Sequence, residues 1–306
     1  MSSTESPVIR FLYNTRLGRL MLKALVRPQF SKIAYAYLSS PLSWWLINYY
    51  IRKHDINMSE YPSEKYRSFN DFFTRKRAFS VPEHADNLFI APCDGFLSVH
   101  EISDERTFFI KHARYNLDSL LKDSELSQKY QNGCCLIFRL APHNYHRYIF
   151  IDDGEIVKTR AIDGVLHCVR PEICTNLPVY VQNVREYALI KSEHFGDIIQ
   201  MEIGALLVGR ICNHFSQGTV RKFTEKGYFE FGGSTILLLI EKDRLLLADE
   251  IKSAKITKYP FAPDKFSVKK LKLLQKTLLL KQCFLFLRTT YQMRVICILY
   301  YISAIT

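Results

Sequence analysis

The stretch KGYFEFGGSTILLLIEKD, residues 226–243, decides the fold of this chain. Two glycines, Gly232 and Gly233, stand directly before Ser234, and a continuous apolar run, residues 236–240, follows shortly after it. Glycine allows backbone torsions that other residues avoid, so the pair predicts a sharp turn. An apolar run of this length is typical of a strand. The stretch therefore predicts a glycine turn that leads into an apolar strand.

The same order of residues permits a reaction of the backbone. In a strained turn, the hydroxyl of Ser234 can attack the carbonyl of Gly233, and this N→O acyl shift produces an ester. β-Elimination then breaks the chain between Gly233 and Ser234 and leaves a pyruvoyl group at the new N-terminus. A plain glycine turn is the alternative, and the short motif alone favours it. The choice therefore depends on the rest of the sequence.

Short apolar runs, separated by Gly, Asp and Asn, extend from about Leu88 to this strand and are typical of strands joined by turns. The runs are LFIAP, FLSVHEI, CCLIFRLAP, HRYIFI, PVYVQ, YALI, DIIQMEI and STILLLI. One segment, YNLDSLLKDSELSQKY at residues 115–130, has the pattern of a helical insertion. Residues 76–250 are therefore predicted to form a β-rich core that contains the cleavage site 233/234.

Residues 1–75, which precede this core, are predicted to be helical. Apolar residues recur at helical spacing in IRFLYNTRLGRLMLKALV, residues 9–26, among several arginines and a lysine. Pro28 and the SSP at 39–41 divide the region into shorter helices. Together with the core, this pattern predicts an α+β fold, in which N-terminal helices precede a mostly antiparallel β core with a helical insertion.

The last helical piece, SWWLINYYIRK at residues 43–53, combines aromatic rings with basic side chains. These are Trp44, Trp45, Tyr49 and Tyr50 beside Arg52 and Lys53. A basic amphipathic helix with such rings suits a lipid interface, and the alternative is a helix whose rings pack on the core. We expect this region to lie on an anionic membrane surface.

Positive charge is concentrated after the core, in residues 251–306. The formal net charge is +12, and the segment from Lys255 onward carries eight Lys and two Arg against one Asp, which leaves the first 254 residues near neutral. The total charge therefore does not indicate that the core binds nucleic acid. The longest apolar stretch, residues 277–306, is interrupted by one Lys and two Arg. Without a clean span of about 20 apolar residues, we expect a peripheral membrane protein with an atypical basic tail.

The cysteines indicate neither disulfides nor a zinc site, because none forms a CxxC pair or shows zinc-ligand spacing. They are Cys93, Cys134, Cys135, Cys168, Cys174, Cys212, Cys283 and Cys297. The start of the chain, MSSTESPVIRF, lacks the basic residues and apolar run of a secretory signal. We therefore expect reduced thiols, an intracellular protein on the cytoplasmic side of the membrane, and no metal.

Six blocks of the sequence resemble, in order, motifs of the phosphatidylserine decarboxylase family. They are SFNDFFTRK (68–76), APCDGFLSV (91–99), FRLAPHNYHRY (138–148), QNVREY (182–187), MEIGALLVGRI (201–211) and FEFGGST (229–235). Chance does not produce six such blocks in this order. The resemblance implies that phosphatidylserine becomes phosphatidylethanolamine and CO2 through a Schiff base with a pyruvoyl group, which takes the electron-sink role of pyridoxal phosphate.

The resemblance also implies roles for individual residues. Ser234 becomes the pyruvoyl group of a small α chain, and residues 1–233 form the β chain that stays with it. Asp94 is the acid of the self-cleavage triad, where a carboxylate orients a histidine and stabilises its cationic form. His146 acts in proton transfer near the pyruvoyl carbonyl during decarboxylation. A homodimer of such β–α pairs is an open possibility for the assembly.

The chain departs from the family pattern at the position of the triad base. Many members carry a second histidine three residues after the one that corresponds to His146, and this chain has Ile149 there. Self-cleavage still needs a group that accepts the Ser234 proton. His167, in DGVLHCV, is the candidate replacement, and the alternative is a half-buried strand histidine. His143, in the loop-like PHN, is a weaker candidate.

The end of the chain is the second departure, because the glycine-rich ending that closes the family's sheet is not recognisable after residue 250. Two other functions therefore stay open beside the decarboxylase. One is a pyruvoyl decarboxylase of a soluble amino acid, which the aromatic basic helix disfavours. The other is an unprocessed, inactive relative that binds lipid surfaces, which Ile149 and the altered ending favour but the intact GGST, Asp94 and His146 disfavour.

Overall fold

The computed structural model of the chain describes residues 7–62, 65–77, 89–206, 210–231, 234–247, 257–259 and 273–274. The helices among these residues are α1 (Pro7–Asn14), α2 (Arg16–Leu25), α3 (Pro28–Leu38), α4 (Trp45–His54), α5 (Phe69–Phe73), α6 (Leu117–Leu121), α7 (Ser124–Gln128), α8 (Pro171–Cys174) and α9 (Val179–Gln182), with 3-10 turns at Pro41–Ser43 and Met58–Glu60. The strands are β1 (Gly95–Glu101), β2 (Thr107–Ile110), β3 (Ala113–Asn116), β4 (Cys134–Leu140), β5 (Arg147–Ile149), β6 (Gly154–Ile162), β7 (Arg185–Ser192), β8 (Gly196–Ile203), β9 (Ile211–Asn213), β10 (Gly218–Val220), β11 (Glu225–Phe229), β12 (Ser234–Ile240), β13 (Leu246–Leu247), β14 (Thr257–Tyr259) and β15 (Leu273–Leu274). The α+β class with N-terminal helices is confirmed.

The N-terminal helices begin and end where local sequence signals place them. Thr15 caps α2 by accepting a hydrogen bond from the backbone N–H of Gly18. Pro28 is the first residue of α3, a position where its missing N–H costs nothing. Ser68 caps α5 by accepting from the N–H of Asp71. The predicted breaks at residue 28 and at residues 39–41 are therefore confirmed.

The core is an eight-stranded sheet in the order β10-β6-β7-β8-β12-β4-β1-β14, and every neighbouring pair in it is antiparallel. The apolar strand that follows the glycines is β12, and it lies between β8 and β4 near the centre of the sheet. All seven of its residues are buried. Burying a Leu or Ile side chain contributes about 1.5–3 kcal/mol, so β12 anchors the sheet.

Side chains of β12 alternate between two apolar clusters, since successive residues of a strand point to opposite faces. Leu237 and Leu239 face the cluster that includes the β2–β3 hairpin and α6. Ile236 and Ile240 face the cluster that includes β5 and β11, which form a second, three-stranded sheet with β9. Ser234 shares the phase of Ile236, so its side chain belongs to the face covered by this small sheet.

Two details of the predicted core are wrong. PVYVQ was expected to be a strand, but residues 179–182 form α9. Val179 and Tyr180 are buried in the first apolar cluster, and this tertiary burial overrides the strand preference of Val and Tyr. In LFIAP, residues 89–92 are buried without belonging to a strand. The helical insertion is confirmed, as the two short helices α6 and α7.

The outer edge of the large sheet also differs from the expectation. The sequence suggested that no strand closes the sheet after residue 250, but β14 pairs antiparallel with β1 through Gly95–Tyr259, Phe96–Lys258 and Leu97–Thr257. Main-chain hydrogen bonds form this pairing, so it does not require the glycine-rich ending that was expected from the family pattern. Apart from β14 and β15, the basic tail lies outside the described residues.

Candidate active site

The predicted site residues meet at one end of the large sheet. Phe96 of β1 pairs with Arg139 of β4, which in turn pairs with Thr235 of β12. Neighbouring strands lie about 4.8 Å apart, so this row of three residues is about 10 Å wide. Asp94 precedes Phe96 by two residues and Ser234 precedes Thr235 by one. The sheet therefore brings Asp94 and Ser234, which are 140 residues apart in the chain, to the same end of its strands.

Ser234 is the first residue of β12 and is 1% exposed. Its Cα lies opposite Leu140 of β4. Its hydroxyl oxygen has no hydrogen-bond partner among the described residues, although a buried hydroxyl normally has one. Gly233, the other residue of the predicted cleavage site, lies outside the described residues, as does Gly232.

Asp94 is a buried carboxylate held by two elements. Its Oδ2 accepts a hydrogen bond from the backbone N–H of Tyr145 at 3.3 Å. Its Oδ1 lies 3.5 Å from Nη2 of Arg77, and both side chains of this ion pair are less than a tenth exposed. Tyr145 also holds Arg77. The Tyr145 hydroxyl accepts a hydrogen bond from the backbone N–H of Arg77, and the Tyr145 ring lies under the Arg77 guanidinium. The guanidinium offsets the cost of burying the carboxylate.

His146 follows Tyr145 and is almost fully buried. Its Nδ1 lies 2.8 Å from the backbone oxygen of Asn144. A carbonyl oxygen only accepts hydrogen bonds, so Nδ1 carries a proton and Nε2 is the nitrogen that can exchange one. The ring packs against Phe73 of α5 at a centroid distance of 4.2 Å, and the backbone oxygen accepts from Phe229 of β11. Helix α5 and the small sheet therefore fix the orientation of the imidazole.

Position 149 lies beside the Asp94 segment. The N–H of Ile149 donates to the backbone oxygen of Pro92 at 2.9 Å, and its own carbonyl accepts from Nε2 of Gln200. Its side chain is buried in the apolar cluster that covers the Ser234 face. The structure thus places an alkyl group, which cannot accept a proton, on a residue bonded to Pro92, two residues before Asp94.

His167 lies at the same end of the sheet but on the β8 side. Its Nδ1 is 3.2 Å from the hydroxyl of Tyr13 on α1. Its backbone N–H and C=O both bond the side-chain amide of Asn183, which also donates to the oxygen of Gly204, the residue after β8. His167 makes no hydrogen bond with Asp94 or Ser234 in the part of the chain that the structure describes. It follows an isolated bridge at Val165 rather than lying in a strand.

The protonation state of His167 suits a base. Burial lowers the pKa of the His167 imidazole, which is therefore neutral at physiological pH. Burial also raises the pKa of the Tyr13 hydroxyl, so that group keeps its proton. His143, the weaker candidate, is half-buried next to α4, with its ring 6.1 Å from that of His54.

Comparison with known proteins finds relatives of this chain in one family. The family model of phosphatidylserine decarboxylase matches residues 69–259. Phosphatidylserine decarboxylase proenzyme 2 of Clostridium acetobutylicum is 46% identical over 248 residues, which are 79% of this chain and 84% of that protein. The proenzyme of Fusobacterium nucleatum is 39% identical over 251 residues (79% and 84%), and that of Clostridium novyi is 38% identical over 251 residues (79% and 85%).

This chain belongs to the phosphatidylserine decarboxylase family. The resemblance stated from the six blocks is therefore confirmed. The match extends through Tyr259, so it includes β14, the edge strand that was not recognised in the sequence.

Several residues that shape the site of this phosphatidylserine decarboxylase family member were not predicted from its sequence. They are Arg77, which pairs with Asp94; Tyr145, which binds both; Asn144, whose Oδ1 accepts from the N–H of Ala141 at 2.7 Å; Asn183; and Tyr13. Their partners are mostly distant in the chain, so no local pattern marks them. Tyr145 and Asn144 stand in the third block and Asn183 in the fourth, but the resemblance assigned none of them a role in the site.

A buried ion pair lies on the face of the sheet that carries Ser234. Nζ of Lys226 on β11 is 2.6 Å from Oε2 of Glu202 on β8, and both residues are essentially unexposed. Asn213 bonds both partners. Burial raises the pKa of Glu202, and Lys226 opposes this shift. The pair joins the small sheet to the large one directly beside β12, whose first residue is Ser234.

The N-terminal helices expose an apolar surface, which we call the helical apolar surface. Trp44, Trp45 and Tyr49 are 60%, 54% and 55% exposed, whereas Tyr50 is buried and donates its hydroxyl hydrogen to the oxygen of Pro142 at 2.7 Å. The other exposed apolar residues of this region, in α1–α3 and the 3-10 turn Pro41–Ser43, include Val8, Leu17, Leu20, Met21, Phe30, Ile33, Tyr37 and Leu42. Three of the four rings predicted to contact lipid are therefore exposed to solvent. The fourth, Tyr50, attaches α4 to the loop that contains His143.

The residues that the structure describes contain neither a metal-binding group nor a membrane-spanning helix. No group of three His, Cys, Asp or Glu side chains within them is arranged to hold a metal ion. None of the helices that the structure describes is both long and apolar enough to cross a bilayer.

Proposed function

We propose that this chain cuts itself between Gly233 and Ser234 and then converts phosphatidylserine to phosphatidylethanolamine and CO2. Membership of the phosphatidylserine decarboxylase family supports the activity. The observation that carries the proposal is the placement of a buried Ser234 hydroxyl, without a hydrogen-bond partner among the described residues, at the sheet edge that also holds Asp94 and His146. An unpaired buried hydroxyl on a residue after two glycines fits a nucleophile better than a structural serine.

Self-cleavage consumes Ser234 and needs no external reagent except water. Oγ of Ser234 attacks the carbonyl carbon of Gly233 as its proton passes to a base, and the peptide C–N bond breaks as the nitrogen is protonated. Loss of the Ser234 α-proton then expels the Gly233 carboxylate and leaves a dehydroalanine. Water replaces its nitrogen, which leaves as ammonia, and a pyruvoyl group remains. Asp94 serves this sequence by orienting and stabilising the cationic base.

The pyruvoyl group supplies an electron sink for the electrons released as CO2 departs. The chain's own residues supply the rest. His146 keeps a proton on Nδ1 through Asn144 and presents Nε2 for proton exchange. Phe73 packs on this ring and, with the other buried side chains, limits the access of water. The β and α chains stay together because β12 is hydrogen-bonded on both sides and fully buried.

His167 is our proposal for the base that replaces the missing triad histidine. Burial lowers its pKa, so the imidazole is neutral and can accept a proton. Asn183, which donates to the backbone oxygens of His167 and Gly204, holds it near the end of β8, the strand beside β12. It acts only if its ring leaves Tyr13 and turns toward Ser234, because it is bonded to Tyr13 in the uncut chain. His167→Ala is expected to block cleavage in a folded chain, and Ile149→His is expected to restore cleavage in that background. If His167→Ala is cut normally, the role passes to another group, such as His143.

The state of the purified protein on a denaturing gel tests the main proposal. Two chains are expected from the native sequence, and Ser234→Ala is expected to give a single band at 35.8 kDa without decarboxylase activity. A single band from the native sequence would instead support the unprocessed lipid-binding relative. A two-chain pattern from Ser234→Ala would exclude Ser234 as the nucleophile.

The helical apolar surface supports a second part of the proposal, peripheral attachment to an anionic membrane. Exposed Trp and Tyr rings beside Arg52 and Lys53 fit the interface of a bilayer. The six cysteines that the structure describes are all unpaired thiols, which fits the cytoplasmic side. Sedimentation with liposomes tests the attachment, and loss of residues 1–55 is expected to weaken it.

A further inference from the structure

Asn70 of α5 holds the backbone that enters the predicted cleavage turn. Its Oδ1 accepts a hydrogen bond from the N–H of Phe231 at 3.1 Å, and Asn70 itself is 8% exposed. Phe231 lies beyond the end of β11 and two residues before Gly233, so a side chain rather than a neighbouring strand satisfies its N–H. On the other side of the turn, Ser234 begins β12, which is hydrogen-bonded to β4 and β8. Both flanks of the glycine pair are therefore anchored.

The same amide also holds Glu230, the residue before Phe231. The carboxylate of Glu230 accepts hydrogen bonds from the side chains of Asn70 and Tyr35. Nη1 of Arg210 lies 3.4 Å from its Oε2. Burial raises the pKa of Glu230, and these three contacts oppose the shift. An ionised carboxylate only accepts hydrogen bonds and a backbone N–H only donates one. The amide of Asn70 therefore supplies a donor to one residue and an acceptor to the next.

The ring of Phe231 connects the turn entry to the site histidine. It packs edge-on against Phe69 and Phe73 of α5, with centroid distances of 4.9 and 5.1 Å. Phe73 also packs against the ring of His146, at 4.2 Å. Phe69 donates its backbone N–H to the hydroxyl of Ser43, which joins α5 to the preceding helical region. Helix α5 therefore supports both the turn entry and the imidazole.

Self-cleavage depends on the distance between the Ser234 hydroxyl and the Gly233 carbonyl. A reaction within one chain is fast only while its groups stay in an attack geometry, and a misplacement of about 1 Å can slow it about 10²-fold. A short loop with both ends fixed samples few conformations, whereas release of one end lets the two groups separate. We propose that Asn70 is a positioning residue for self-cleavage, which holds the turn entry in the geometry for attack by Ser234. This inference rests on the proposed function.

The rate of self-cleavage during cell-free synthesis tests this role. Samples are quenched in denaturant at successive times, and the fraction of two-chain protein is read from a denaturing gel. Asn70→Leu removes both hydrogen bonds at similar side-chain volume. The control is Asn116→Leu, which removes a similar bond, to the N–H of Ser119 at 2.9 Å, where Asn116 caps α6. Denaturation of each variant in a Ser234→Ala background shows whether it folds.

An exchange of the two polar side chains tests the hydrogen bonds themselves. Asn70→Asp keeps an acceptor for Phe231 but loses the donor, and it places a second carboxylate beside Glu230, where like charges repel. Adding Glu230→Gln supplies the missing donor from the other side. Asn70→Asp is expected to be cut slowly, and the double variant is expected to recover most of the rate of the unchanged chain.

Asn70→Leu is expected to slow cleavage about ten- to hundredfold, whereas Asn116→Leu is expected to be cut at the rate of the unchanged chain. Once cut, Asn70→Leu is expected to keep its kcat for phosphatidylserine per two-chain molecule, which a general loss of structure would lower.

The inference is overturned by normal cleavage of Asn70→Leu, by an equal loss in Asn116→Leu, by a kcat that falls in parallel, or by a double variant that does not recover. If Asn70→Leu does not fold, the comparison of Asn70→Asp with the double variant decides. All these outcomes leave the proposed function intact, whereas an unchanged chain that stays uncut refutes both.

Discussion

The Arg77–Asp94 ion pair provides the sharpest test of how the site is held. Nη2 and Oδ1 lie 3.5 Å apart, with 7% and 8% of the two side chains exposed. At an effective dielectric constant of about 20, two unit charges at this distance attract by about 5 kcal/mol. Removing one partner of a buried pair costs about 3–5 kcal/mol, because their attraction is lost while the other charge stays buried. Arg77→Met is therefore expected to lower the free energy of unfolding by about that amount.

The measurement is chemical denaturation in a Ser234→Ala background, so that every variant is a single uncut chain. Asp94→Asn and the double variant Arg77→Met with Asp94→Asn complete a double-mutant cycle. The double variant is expected to lose less than the two single variants together, because the attraction between the two charges is lost only once. Arg114→Met is the matched control, since the exposed Arg114–Glu105 pair contributes only about 0–1 kcal/mol.

The same pair predicts a kinetic effect when Ser234 is intact. Arg77→Met should slow self-cleavage, because Asp94 loses a contact that fixes it relative to Tyr145 and His146. The fraction of two-chain protein against time after synthesis measures this effect. Additive losses of stability in the cycle would show that the two side chains are not coupled. Normal cleavage in Arg77→Met would show that their coupling is irrelevant to the reaction.

Three further changes test other parts of the molecule. His146→Ala should still yield two chains but decarboxylate about 10²–10⁴ times more slowly, as expected for a lost proton-transfer group; full turnover would remove His146 from the site. Lys226→Met should cost about 3–5 kcal/mol in denaturant unfolding because it leaves Glu202 buried and unpaired, and adding Glu202→Gln should recover part of this loss; no recovery would refute the coupling. Replacing Trp44 and Trp45 with Ser should reduce sedimentation with anionic liposomes, while the remaining binding should still weaken as salt screens the basic residues; unchanged sedimentation would assign attachment to another surface.

The parts of the fold that were predicted correctly depend on local signals. Pro28 ends one helix and begins another because of its fixed backbone angle. The apolar run of β12 forms a strand because each of its residues is buried on one face or the other. In contrast, PVYVQ has a strand composition but forms α9, because its contacts with the first apolar cluster outweigh four residues of local preference.

The site was predictable only where a motif marks it. Ser234, Asp94 and His146 stand in blocks that resemble the family, and the sheet brings their segments to one edge. Arg77 was not predictable, because its partner lies 17 residues away along the chain and the contact depends on the path between them. The hydrogen bond of His167 to Tyr13 joins residues 154 positions apart, and no periodicity contains that information.

The sequence by itself determined the glycine–serine motif, most of the succession of helices and strands, and the family, because these depend on residue order over short distances. Only the tertiary structure decided which groups meet. It buried Tyr50 while exposing Trp44, Trp45 and Tyr49, although all four rings lie within residues 44–50. It left Arg139 between Phe96 and Thr235 without a described anionic partner. Such contacts depend on strand register and on the packing of distant segments, since a shift of one residue would move every side chain of a strand to the opposite face.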